Sequence, residues 1–583
     1  MSYFRIKCVY CMQTIELADV IYKVSTEDFE QGFTEITDVS SSINYKKKED
    51  EETNVMLGVI EEDDFFSNIH ANSSEMFMTI NEMKAISGSV TEIYPTKLKI
   101  PKYFYEDRGI IGGRLSVGCQ VNNINIDGKL YTGTLKKRYC PHCKKRLLKE
   151  AGQVPILNIG MLGHSSAGKT VFLVMQYYSA IKQKFNRKIH KGELFIEHVD
   201  SHLDIVSNDV IFAKVNSFKT SGEIPGTTQK NPDPHCLRIS YRLKKENGEF
   251  SNEDVTTCIL CFHDIIGELL TNDNPNAEEY MKVANICKKA DAFIIVNDPY
   301  ALEFSRQNLP EHVLKAFGVN DGTIDEMIKK LTNLFDIIGG AVSQPTICLL
   351  AKIDDILFNN NNLMIDTAEP ALAEDMKSEY FADKDKNWAV NVYESLSRSS
   401  KKILTHLDKG GNWMNTVNQY FTDAIHIPVS SIGSEVKILE LPKKTEKETD
   451  TTKKEEIDTI KRLVTVNQWK EYIKYDDDKN RKEMIENIMN TKISPDSIKP
   501  RFIELPMLTF LMQFGFIPPM YLNEYNNNLD ANFDIWYQKC AMTNDAVSEK
   551  SFANELPPQY NFGKKSSVPT LEKVVGLLFR KHK

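Results

Sequence analysis

No apolar run in this chain of 583 residues is long enough to cross a bilayer, and its opening residues (MSYFRIKCVYC) lack the pattern of a secretory signal. Membrane-spanning and secreted classes are therefore set aside, and a cytoplasmic location is expected. Positive charge is not in excess either. The 72 Lys and Arg stand against 81 Asp and Glu, a net charge of −9. The balance carries no strong nucleic-acid signal, although it is silent on local basic patches. Disulfide chemistry is also set aside, because eleven cysteines in a reducing compartment read as metal ligands and buried thiols. What remains is a chain with room for about two to four domains and at least one large core. Its oligomeric state is not legible.

The cysteines that are present fall into a pattern. Cys8 and Cys11 form one C-x-x-C, and Cys140 and Cys143 form another. Two thiolates three residues apart grip one side of a tetrahedral ion, and four close the site, which makes a structural Zn²⁺ the expectation. Roughly 130 residues separate the pairs, where a compact ribbon has about 15–20. Residues 1–150 are therefore read as a split zinc ribbon carrying an inserted module at about 13–138. Within it, KKKEDEE at 46–52 reads as solvated and residues 90–135 as β-rich. His142, inside the second pair, is expected to be a loop residue. Cys258 and Cys261 share the spacing but lie in a continuous apolar strand, where residues three apart face opposite sides, so they are expected in the core.

The most specific stretch is VPILNIGMLGHSSAGKTVFLVM at 154–175. An apolar strand pattern ends at Gly163, and a helical pattern starts after Gly168, with Lys169 and Thr170 at the junction. This is G-x-x-x-x-G-K-T in the strand-to-helix setting that a phosphate-binding loop needs. The glycines let consecutive N–H groups curl inward, and the helix start adds its positive end. Lys169 supplies a point charge for the β- and γ-phosphates, and Thr170 a hydroxyl for Mg²⁺.

From 151 to 436 strand-like and helix-like stretches alternate. Strands are expected at 154–162, 235–243, 255–263, 292–297, 346–351 and 425–430, and helices at 169–184, 277–289 and 323–337. Several strands are apolar throughout, as when both sheet faces are covered. The fold class is α/β, a doubly wound, mostly parallel sheet, with 235–243 and 255–263 as a hairpin adding one antiparallel edge strand. Residues 437–500 include the charged stretch PKKTEKETDTTKKEEID and read as a partly mobile insertion. NNNN at 359–362 reads as an exposed loop. Residues 501–583 read as a buried helix (RFIELPMLTFLMQFGFI) returning to the core, then a tail. In that tail Leu571, Val574, Val575 and Leu578 have helical spacing, with a packed terminal helix favoured over a membrane-surface one.

Three further motifs follow the loop in order. FHDIIGE at 262–268 ends an apolar strand, placing Asp264 to hold Mg²⁺ through water and Gly267 to offer its N–H to a γ-phosphate. AKIDD at 351–355 ends another, where the carboxylate of Asp354 can accept the ring and amino N–H groups of guanine and the stem of Lys352 can lie over the base. SSIG at 430–433 ends the last.

This order, P-loop, D-x-x-G, K-x-D and S-S, resembles that of TRAFAC-clade GTPases, the Ras- and translation-factor-like class with a P-loop NTPase fold. With the cysteine pairs, it looks like the bacterial double-GTPase type. The resemblance implies a Mg²⁺-dependent switch binding GTP and GDP, with protein partners in a defence or stress system. It assigns Gly163, Ser165, Ser166, Ala167, Gly168, Lys169, Thr170 and Val171 to the nucleotide's phosphates, Asp264 and Gly267 to the γ-phosphate switch, Lys352 and Asp354 to guanine, and Ser430 and Ser431 to the base edge. It also needs a threonine in the first switch loop, for which Thr228 in IPGTTQKNP is chosen, with Thr227 next to it.

Two residues depart from the family pattern. Ala351 stands where Asn or Thr is usual and lacks the side-chain hydrogen bond that braces the P-loop. Glu268 stands where many relatives have Gln; an ionised carboxylate only accepts hydrogen bonds and repels the γ-phosphate. Slow intrinsic hydrolysis is expected, on the order of 10⁻⁴–10⁻² s⁻¹. Two alternatives stay open: an ATPase of a signalling or effector complex, and a nucleotide-gated scaffold with little hydrolysis.

Overall fold

The computed structural model describes, with short gaps, residues 6–24, 76–93, 118–199, 234–264, 277–308, 323–357, 390–433 and 498–518, plus a few isolated positions and the strand pair at 438–439 and 492–493. These fall into two compact units, one within residues 1–154 and one within 155–518.

The first unit is built from short antiparallel strands. β1 (Ile6–Lys7) and β2 (Thr14–Ile15) flank the first cysteine pair. β3 (Ile21–Val24) lies between β4 (Met76–Thr79) and β8 (Arg138–Tyr139). Helix α1 (Ile80–Ile86) follows β4, and its Glu82 accepts from the backbone and hydroxyl of Thr79 at 2.7 and 2.9 Å, a capping arrangement. β5 (Ser89–Ile93), β6 (Gly118–Ile126) and β7 (Lys129–Leu135) form a meander, so the described part of residues 90–135 is β-structure as expected. Arg138 is buried and donates to the carbonyls of Ala151 and Leu148 at 2.9 and 3.2 Å. Burial pushes its pKa down to about 10.

The second unit is organised by an eight-stranded sheet in the order β10-β11-β12-β13-β9-β14-β15-β16. β9 (Ile156–Leu162), β13 (Phe250–Asp264), β14 (Ala292–Asn297), β15 (Thr346–Leu350) and β16 (Ile425–Pro428) run parallel. β14, β15 and β16 are buried at every residue, the pattern of strands covered on both faces. β12 (His235–Lys244) pairs antiparallel with β13 through a tight turn in which Gly248 donates to the Lys245 carbonyl at 2.9 Å. β12 is not the edge, however. β10 (Arg187–Ile189) and β11 (Gly192–His198) extend the sheet beyond it, making three antiparallel strands instead of one. Along β11, Leu194 and Ile196 are buried, while Glu193, Phe195 and Glu197 alternate onto the more open face. That half-buried alternation is a weaker sequence signal than a continuous apolar run.

Helices cover the sheet: α2 (Lys169–Ile181), α3 (Ala277–Lys289), α4 (Glu303–Asn308), α5 (Thr323–Ile338), α6 (Val390–Asp408) and α7 (Asn412–Tyr420). α5 buries Met327, Leu331, Leu334 and Phe335, one stripe at helical spacing, and Phe335 stacks on Tyr420 of α7 at 4.8 Å. The returning segment forms α8 (Leu505–Gln513), buried at all nine residues. It is anchored by Gln176 of α2, which donates to the Ile503 carbonyl at 3.4 Å, and by the Thr256 hydroxyl of β13, which donates to the Phe516 carbonyl. Cys258 and Cys261 are fully buried, and burial raises both thiols well above their usual value. The charged stretch within 437–500, NNNN at 359–362 and the tail helix at 570–583 lie outside the described residues.

Candidate functional site

Because five strands are parallel, their carboxyl ends lie along one edge of the sheet, at Leu162, Asp264, Asn297, Leu350 and Pro428. The loops that follow them therefore share one rim, which in open α/β sheets is where ligands bind, at the point where strand order reverses. Here the reversal falls at β9, since the chain next builds β10 to β13 on one side of it and β14 to β16 on the other.

The loop after β9 turns on two glycines. A side chain at Gly163 would meet the Val296 carbonyl at 2.9 Å, and Gly168 has φ +96°, a conformation L side chains rarely adopt. Between them the Ala167 N–H donates to the His164 carbonyl at 3.3 Å, and helix α2 begins at Lys169. The Lys169 ammonium is buried and folds back into its own loop, donating to the carbonyls of Gly163 at 2.8 Å and His164 at 2.9 Å. An ammonium that donates to two loop carbonyls beside a helix start is a cation placed where an anion could bind. Thr170 donates its hydroxyl to Asp264 Oδ2 at 3.0 Å, bringing together two candidates 94 residues apart. The other carboxylate oxygen, Asp264 Oδ1, is buried with no hydrogen-bond partner among the described residues. A hydroxyl beside an incompletely satisfied carboxylate is an oxygen donor set suited to a hard divalent cation.

The loops after β15 and β16 are stitched together. Ile353 donates its N–H to the Val429 carbonyl at 3.3 Å, so the turn holding Lys352 and Asp354 lies beside the turn holding Ser430 and Ser431. Lys352 has φ +55°, an uncommon conformation for a non-glycine residue. Its ammonium donates to Asp298 Oδ2 at 2.6 Å and lies 5.4 Å from the centre of the Tyr300 ring. Asp354 follows in the first helical turn, half-buried. Ser430 is buried and committed to structure. Its N–H and carbonyl pair with Arg501 at 3.0 and 2.9 Å, and its Oγ accepts the Gly433 N–H at 2.9 Å. Ser431, the next residue, is half-exposed.

Sequence reasoning missed Asp298. It sits just past β14, fully buried, with Oδ1 accepting the Tyr300 N–H at 3.1 Å and Oδ2 lying 3.9 Å from His164 Nε2. An acidic residue ending the apolar run AFIIVN was the available signal. Trp413 and Asn297 were also missed; the indole donates to Asn297 Oδ1 at 2.7 Å, and Asn297 Nδ2 donates to the carbonyls of Ile295 and Leu349. Ser165, Ser166, Thr227, Thr228, Gly267 and Glu268 lie outside the described residues.

A second site lies in the first unit. The Sγ atoms of Cys8, Cys11, Cys140 and Cys143 are all within 4.8 Å of one another. Two contacts, Cys8 to Cys143 at 3.6 Å and Cys11 to Cys140 at 3.7 Å, cross between pairs separated by more than a hundred residues. A tetrahedral ion with bonds of about 2.3 Å spaces its sulfurs about 3.8 Å apart, which this quartet matches. The two halves have the same local design. Tyr10 and His142 donate their N–H groups to the sulfurs of Cys8 and Cys140, each at 3.4 Å. Met12 and Lys144 donate to the carbonyls of those same cysteines, each at 2.9 Å, and both take a left-handed φ, +53° and +58°. Mutual hydrogen bonding splits the thiols: contact with Cys11 raises Cys8 and Cys143 and lowers Cys140. The group can hold a metal ion such as zinc. His142 is outside it, with its ring 3.3 Å from the Thr14 carbonyl.

Among the described residues no helix is long and apolar enough to cross a membrane. No family model matches the chain, and no curated protein matches it. Among solved structures it is similar to the crystal structure of a mutation variant of SsGBP, at 14% identity over 47% of this chain and 49% of that one, with a TM-score of 0.17. The chain thus spans about half the length of that protein, and a likeness this faint carries no argument about fold or activity.

Proposed function

We propose that the second unit is a P-loop GTPase: a Mg²⁺-dependent switch that binds GTP and GDP and hydrolyses GTP slowly. The observation that carries this reading is the Thr170–Asp264 pair at 3.0 Å, between the first turn of α2 and the end of β13, beside an ammonium held inside the loop from Gly163 to Lys169. The strand order also supports it, because it brings the four loops that carry the sequence motifs to one rim.

On this reading Lys169 leaves the carbonyls of Gly163 and His164 for a phosphate, and the amides at the start of α2 face the same charge. Thr170 and Asp264 hold Mg²⁺, which when bound would neutralise charge building on the phosphates. Asp354 accepts from guanine, Lys352 lies over the base, and Ser431 meets its edge. Thr228 senses the γ-phosphate, and Glu268, a poor aligner of water, keeps hydrolysis slow. Protein partners read the resulting state. In the first unit, the cysteine quartet holds a structural zinc ion, since four thiolates leave no coordination position for chemistry.

Titration of the full chain with fluorescent GTP and ATP, with Mg²⁺, tests the reading. GTP is expected to bind at least tenfold more tightly than ATP, and Asp354→Asn to remove the preference. Preferential binding of ATP would replace this reading with the ATPase one, which Ala351 favours. Binding of neither would remove both.

A further inference from the structure

The base-recognition turn has a gap at Ala351, whose methyl group cannot brace the phosphate loop. We infer that Asp298 fills that gap, as a positioning residue that takes over the bracing from the neighbouring strand. The inference rests on the GTPase reading above.

The register places it. β14 and β15 run parallel, with Asn297 opposite Leu350, so the next residues, Asp298 and Ala351, leave the sheet side by side. Ala351 donates its N–H to the Asn297 carbonyl at 3.0 Å, which fixes that alignment at the rim. A side chain at 298 therefore reaches the same space as one at 351, from one strand over.

Both oxygens of Asp298 are engaged. Oδ1 takes the Tyr300 N–H at 3.1 Å, which locks the carboxylate's orientation. Oδ2 takes the Lys352 ammonium at 2.6 Å and faces His164 Nε2 at 3.9 Å. The second distance is too long for a hydrogen bond, so the carboxylate and the imidazole stand side by side at the rim. The Asp298 side chain is wholly buried, and so is nearly all of His164. A buried carboxylate requires partners, and these come from both halves of the site. Lys352 belongs to the base turn, and the carbonyl of His164 is one of the two that hold Lys169. Asp298 thus connects the residue meant to lie over the base with the loop meant to hold the phosphates.

The test measures GTP affinity for four forms of the full chain: unaltered, Asp298→Asn, Ala351→Asn, and both together. Asn at 298 keeps the size and removes the charge. We expect Asp298→Asn to weaken GTP binding at least fivefold, and Ala351→Asn in that background to restore affinity to within threefold of the unaltered chain. Ala351→Asn alone should change affinity less than threefold, because the brace is already present. A smaller loss on Asp298→Asn overturns the inference, as does a loss that Asn at 351 fails to rescue, since a merely structural role for Asp298 would not be repaired from the next strand. If Asp298→Asn does not fold, the single Ala351→Asn variant decides: a gain beyond threefold shows that the brace was missing and overturns the proposal. An unaltered chain that binds no GTP removes the GTPase reading and this inference with it. Binding by the unaltered chain with no response to Asp298→Asn removes this inference alone.

Discussion

Acid should weaken the second unit through two histidines buried in their neutral form. His263, the residue before Asp264 on β13, is wholly buried, with Nε2 3.1 Å from Asn158 Oδ1. Burial pushes its pKa down to about 3, against a smaller opposing pull from Asp291. His426 on β16 is likewise pushed down to about 4 by burial, helped by Lys401. In the unfolded chain each would titrate near 6.5. A base whose folded pKa is depressed contributes stability above the unfolded value and loses it as pH falls toward the folded one. At pH 5 each histidine is about 1.5 units below its unfolded pKa and still neutral in the fold, at about 1.4 kcal/mol per unit. The loss is about 2 kcal/mol per histidine and about 4 kcal/mol for the pair. Urea unfolding followed by tryptophan fluorescence at pH 7 and pH 5 measures it, since Trp413 is buried in the same unit. Replacing both histidines with Gln should flatten most of the difference. A loss under about 1 kcal/mol, or a double variant with an undiminished pH dependence, would refute the argument.

The remaining predictions concern the two sites. Metal analysis of protein made without chelators should find about one zinc per chain, and joint replacement of Cys140 and Cys143 by Ser should abolish it. Zinc retained at full stoichiometry would show that the quartet is not the site. Lys169→Ala removes a charge-assisted donor worth about 1.5–3 kcal/mol, so GTP affinity should fall about 10- to 150-fold, as read by equilibrium titration. Gly163→Ala brings a methyl group to 2.9 Å from the Val296 carbonyl at φ +156°, and should cost about 1–3 kcal/mol, read as a lowered melting temperature. Multiple-turnover hydrolysis by the isolated chain should stay on the order of 10⁻⁴–10⁻² s⁻¹; a rate of several per second would show that Glu268 is not limiting.

How far the sequence was legible differed from element to element. β14 and β15 could be read almost to the residue, because strands covered on both faces are apolar without interruption. β10 and β11 could not, because a partly open strand mixes charged and apolar residues and only pairing with β12 selects its conformation. α6 and α7 fall where strand-like and helix-like stretches were expected to alternate, but their bounds were not named from the sequence. At the rim, Lys169, Thr170 and Asp264 announced themselves through spacing and flanking strands. Asp298 did not, since a single acidic residue at a strand end is commonplace, and its value comes from Lys352, 54 positions later. Ser430 pairs through its backbone with Arg501 and accepts the Gly433 N–H on its Oγ, a pairing that no local pattern encodes.

By itself the sequence determined the features that follow from local chemistry: two cysteine knuckles, a glycine loop between a strand and a helix, and a succession of apolar strands. These depend on periodicity and on backbone freedom within a few residues, which neighbours in the chain fix. Only the tertiary structure decided which distant groups meet. It closed the quartet across 129 positions, set Thr170 on Asp264, and gave Lys352 to Asp298. Strand order governs those meetings, and strand order results from burying the whole sheet at once rather than from any one segment's preference.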